Sequence, residues 1–86
     1  MSELNKTVYT TLSVLDEIES IHFVIHDEDG DWHFMPNRAV SDGDAALASL
    51  KQILEIDATI EDVLGLPDSH MVEKTEQGKW MQKKIS

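Results

Sequence analysis

Two short runs rich in β-branched and aromatic residues flank an Asp-Gly pair, and this arrangement constrains the chain more than any other feature. Ile21-His22-Phe23-Val24-Ile25-His26 precedes Asp29-Gly30, and Trp32-His33-Phe34-Met35 follows it. Asp-Gly between such runs signals a tight β-hairpin, because glycine tolerates the positive φ that the turn demands. The spacing predicts strands over about 21–26 and 31–35. Pro36 ends the second, since proline has no N–H for the ladder. A two-residue loop would pair residues whose numbers sum to 59, placing His26 opposite His33 and Glu28 opposite Asp31. Side chains alternate across a sheet, so that register puts Phe23, Ile25, Trp32 and Phe34 on the core face.

Elsewhere the signals are those of a small α+β domain. Val8, Tyr9 and Thr10 suit a first strand over 7–11. Ser41-Asp42-Gly43-Asp44 fits a capping box, and Ala46, Leu47, Leu50, Ile53 and Leu54 recur at helical spacing. Together they predict a main helix over about 42–55. A shorter helix over about 58–64 starts near Asp57 or Thr59 and is stopped by Gly65 and Pro67. Late strands near 70–75 and 79–84 flank Gln77-Gly78. The expected fold is α+β: a small antiparallel sheet of three or four strands, with both helices packed on one face. Residues 1–86 form a single domain, with residues 1–6 expected to fray.

Charge sets limits on function. Seventeen acidic residues face seven basic ones, a net charge of −10. Residues 1–72 hold fifteen acids against Lys6, Arg38 and Lys51, whereas 73–86 hold four lysines against Glu73 and Glu76. An acidic body repels phosphate, so direct nucleic-acid binding is not expected. The acid suits solubility, the steering of a basic protein partner, or mimicry of a phosphate backbone. The absence of cysteine excludes disulfides and thiolate metal sites and fits a cytoplasmic protein. No apolar stretch approaches the roughly 20 residues of a membrane span. Oligomeric state is not legible.

Two groups of side chains are candidates for function. Asp27, Glu28, Asp29 and Asp31, with the indole of Trp80, would contact a basic partner. His26 and His33, paired across the hairpin on the same face as His22, Glu28 and Asp31, would share a zinc with a carboxylate as third ligand. The acidic turn does not follow the calcium-loop spacing. Ser69-His70 beside Asp68 is a third motif, but it lacks the context of a hydrolase nucleophile. No catalytic residue and no cofactor is expected.

The string His26-Asp27-Glu28-Asp29-Gly30-Asp31-Trp32, then Phe34, resembles the hairpin of a small bacterial family of uncharacterised proteins. The resemblance extends through Tyr9-Thr10-Thr11, Leu50, Ile53, Ile56-Asp57 to Leu64, Leu66-Pro67 and Trp80, and so covers most of the chain. His33 stands where that family usually has glutamine, and Ala58 where it has proline. The layout is more distantly similar to the immunity-protein group thirty-three domains of polymorphic toxin systems. That similarity implies a cytosolic module that binds and neutralises a toxin; the nearer family brings no established activity to carry over.

Overall fold

The computed structural model describes residues 3–84, with side-chain surroundings for 4–82. Six strands form one mixed sheet: β1 (Thr7–Thr11), β2 (Phe23–His26), β3 (Trp32–Met35), β4 (Ala45–Ser49), β5 (His70–Lys74) and β6 (Trp80–Lys84), in the order β4-β1-β3-β2-β5-β6. All neighbours are antiparallel except β1 and β3, which run parallel. This corrects the expected antiparallel sheet of three or four strands. The helical elements are α1 (Leu12–Leu15), α2 (Leu50–Ile56) and 3₁₀ turns at Glu3–Asn5, Asp42–Asp44 and Ala58–Val63. Of the N-terminal segment, Glu3–Asn5 form a 3₁₀ turn, and residues 1 and 2 lie outside the described region.

The expected main helix over 42–55 is the largest error of local structure. Its first half is the edge strand β4, and only its second half is helical. Alanine and leucine favour a helix, but Ala45 to Ser49 pair residue for residue with Thr11 to Thr7 of β1. Ladder pairing and burial override a propensity difference of a few tenths of a kcal/mol, about what separates ordinary residues. The capping box also sits elsewhere. Ser41 makes no side-chain cap bond. Ser49 accepts from the Gln52 N–H, and Gln52 Oε1 accepts from the Ser49 N–H. The expected short helix over 58–64 is a 3₁₀ segment opened by Asp57, whose carboxylate accepts from Thr59 N–H.

The hairpin register is shifted by one residue. His26 pairs with Trp32, Ile25 with His33, Val24 with Phe34 and Phe23 with Met35, so paired numbers sum to 58. The cause is the turn. The Gly30 N–H donates to Asp27 C=O at 3.1 Å and the Asp27 N–H to Asp31 C=O at 2.9 Å, with Gly30 at φ +86°. Asp27 to Gly30 therefore form a type I turn that closes through a left-handed glycine, giving a three-residue loop. The Asp27 carboxylate locks it by accepting from the Asp29 and Asp31 N–H groups. A one-residue shift moves one strand's side chains to the opposite face. Val24 thus joins Trp32 and Phe34 in the core, and Phe23 and Ile25 turn away from it.

The core lies between the sheet and the helical layer. Val8, Val24, Trp32, Phe34, Ala48 and Val72 from the strands meet Val14, Leu50, Ile53, Ile60 and Val63 from the helical elements. Thr10 is buried on the same face, and its hydroxyl donates to Phe34 C=O at 2.8 Å. That bond satisfies a polar group that would otherwise be costly to bury.

Candidate functional site

The strand positions alternate with those of the core, so the second face of the sheet can be read directly from the register. Leu47 neighbours Tyr9, Tyr9 neighbours His33, His33 neighbours Ile25, and Ile25 neighbours Met71. A second row runs Met35, Phe23, Glu73, Met81. None of these residues belongs to the buried cluster beneath the helices. Leu47 is 61% exposed, Met81 52% and Tyr9 40%, while Phe23, Ile25, Met35 and Met71 are half-buried by their neighbours. An antiparallel sheet that faces water on one side ordinarily carries polar residues there. These two rows are apolar apart from His33 and Glu73, and the β6 neighbour of Met71 in register is Lys83. Exposed apolar surface gathered on one face is a candidate for interaction.

The acidic hairpin tip adjoins that face. Glu28 and Asp29 are exposed; Asp27 and Asp31 are half-buried. Asp27 links the two features, because its second oxygen accepts from His33 Nε2 at 2.8 Å. The His33 ring in turn stacks on Tyr9, with centroids 5.0 Å apart and planes 16° from parallel. His33 and the turn amides of Asp31 and Asp29 hold the Asp27 carboxyl below the usual carboxylate range. The tip also has a cation nearby, since Lys6 Nζ donates to Gly30 C=O at 3.3 Å.

The other sequence candidates are dispersed. His26 and His33, expected to face each other across the hairpin, fall on opposite sides of the sheet because of the register shift. His26 stacks on Trp32 at 4.0 Å, and its Nδ1–H donates to Leu66 C=O at 2.8 Å. It fastens the loop before β5 to the core. His22 pairs with Glu73 at 3.0 Å. Among the described residues, no three His, Cys, Asp or Glu side chains are grouped as a metal ion would require.

Trp80 sits apart from the acidic tip. Its strand neighbour is Lys74 on the covered face, and it packs against the core cluster. The indole N–H donates to Thr59 Oγ1 at 3.2 Å, and Thr59 Oγ1 donates to Asp57 at 2.6 Å. Lys74 Nζ lies 2.8 Å from Asp57 and 4.9 Å from the centre of the Trp80 ring. Burial pushes the Asp57 carboxyl up, but Lys74 and Thr59 outweigh it and hold the group below its usual range. Trp80 therefore pins the 3₁₀ segment to β6. Beside it a groove of about 510 Å³ is lined by Thr59, Leu66, Lys79 and Trp80. At the third motif, His70 Nδ1 turns to the Asp68 C=O at 2.9 Å, and Ser69 occupies the left-handed region at φ +58°.

The bare apolar face was missed in the sequence. Its residues are scattered over β1 to β6, and the apolar run Phe23-Val24-Ile25 offers two equally plausible core faces. The turn chemistry could have fixed the choice, because aspartate at the first position and glycine at the fourth is a type I signature. Among the described residues no helix is long and apolar enough to cross a membrane. Comparison with family models, curated proteins and solved structures finds no match.

Proposed function

We propose that the protein is a non-enzymatic binding module that holds a basic protein partner, in the manner of an immunity-like inhibitor acting in the cytoplasm. The observation that supports this reading most is the adjoining of a bare apolar sheet face and an acidic hairpin tip. The apolar face supplies surface to remove from water, and the tip with the −10 body supplies the field that steers a cationic partner. Asp27, Glu28, Asp29 and Asp31 act as the acidic rim of the contact. Asp27 also orients His33 within it.

Electrostatic steering acts mainly on association, and salt screens it over about 10 Å at 0.1 M ionic strength. With a partner recovered from the source cell's lysate, the association rate falls as salt rises, and dissociation changes little. An association rate indifferent to salt contradicts the proposal.

A further inference from the structure

We propose that the bare sheet face seats a basic amphipathic helix of the partner. This rests on the binding reading above and adds to it the form and chemistry of what is bound.

Three observations select that occupant. The first is the size and make-up of the face. The row from Leu47 through Tyr9, His33 and Ile25 to Met71 crosses five strands, about 19 Å at about 4.8 Å per strand. That width matches about a dozen helical residues at 1.5 Å each. Met35, Met71 and Met81 lie on the same face. Methionine side chains are flexible and polarizable, and they adapt to the ridged surface of a helix. The opposite face of the same sheet is already completed by a helical layer, and sheet faces are stably buried this way.

The second observation disfavours strand addition at the β4 edge of the sheet. The Leu50 N–H donates to Lys6 C=O, so by alternation Ala45, Leu47 and Ser49 direct their backbone groups toward the free edge of β4. The Ala45 N–H is taken by Asp42 C=O and the Ser49 N–H by Gln52 Oε1. Leu47 is left as the strand's outward donor, too little for a guest strand.

The third observation is charge. A second copy of this chain would bring another body of −10 against the same acidic rim. A basic helix instead places its cations beside Asp27, Glu28, Asp29 and Asp31.

The test uses the intact protein and a synthetic peptide of about 18 residues, with leucine on one helical face and lysine on the other. Methionine methyl spectra report the face, and circular dichroism reports the peptide. The expected result is saturable binding that moves the Met35, Met71 and Met81 signals, induces helix in the peptide and weakens with salt. A leucine-glutamate peptide of the same pattern should not bind. Ile25→Lys should weaken binding about tenfold or more, as loss of a central contact does. If that variant does not fold, Leu47→Lys at the exposed end of the row replaces it. Binding that shifts only the Asp27 to Asp31 amides overturns the helix seat and leaves the basic-partner reading standing. Equal binding of the leucine-glutamate peptide, or no binding of the lysine peptide, also overturns the seat. The partner's salt-dependent association rate then judges the broader reading by itself.

Discussion

Val24 and Ile25 are adjacent in β2, nearly alike in size and chemistry, and sit in opposite surroundings. Val24 has no exposed surface and lies under the helical layer. Ile25 belongs to the face that, among the described residues, no helix covers. The same contrast repeats between Phe34 and Met35 and between Ala48 and Leu47. One face holds the fold together, and the other resembles a core face without its second layer. Apolar residues on the first are required for folding. Those on the second expose apolar surface to water, a liability that a partner would relieve.

The contrast predicts unequal consequences for similar changes. Phe34 is wholly buried, and Phe34→Ala should cost about 3–5 kcal/mol, enough to unfold most of a domain this small. Urea unfolding would show this as loss of the native baseline. Gly30→Ala sharpens the register on which the face assignment depends. A Cβ there meets no atom within 4 Å, so only the left-handed backbone resists it, at about 1–2 kcal/mol. A shift of the urea midpoint without a change of slope would report that cost. Leu47→Ala, on the bare face, should stay within about 0.5 kcal/mol of the parent in the same titration.

Acid provides a smaller, directional check. The Asp27 carboxyl is held below its unfolded value by His33 and the turn amides, so its contribution is fully present above that unfolded value, about 3.9. It is lost as pH falls through the lower folded value. Asp27→Asn should therefore flatten the acid-side fall in stability, measured by urea titration at successive pH values. An unchanged acid limb would mean that Asp27 does not lock the turn.

Much of the fold was legible in local signals, and the failures share one cause. The hairpin, the late strand pair and the first strand carry turn residues or β-branched side chains that act locally. The edge strand β4 does not. Ala45-Ala46-Leu47-Ala48 favours a helix until β1 is beside it, and that neighbour lies some forty residues away in sequence. Ser49-Leu50-Lys51-Gln52 is a capping box in plain view, and it marks where the helix begins. Face assignment failed for a narrower reason. A continuous apolar run carries no period of two, so the turn alone sets the face, and here it has one residue more than Asp-Gly suggests. The acidic half of the candidate site was visible because charge is read one residue at a time. The apolar half was not, because only sheet order brings Leu47, Tyr9, Ile25 and Met71 into a row.

The most direct test is a matched pair of lysine substitutions, Val24→Lys and Ile25→Lys, each followed by thermal unfolding. The two-face account predicts that Val24→Lys fails to fold, because an unpaired cation would be buried in the core. It predicts that Ile25→Lys remains folded and melts within a few degrees of the parent. Equal damage at both positions, or a folded Val24→Lys beside an unfolded Ile25→Lys, would contradict the register and, with it, the bare face.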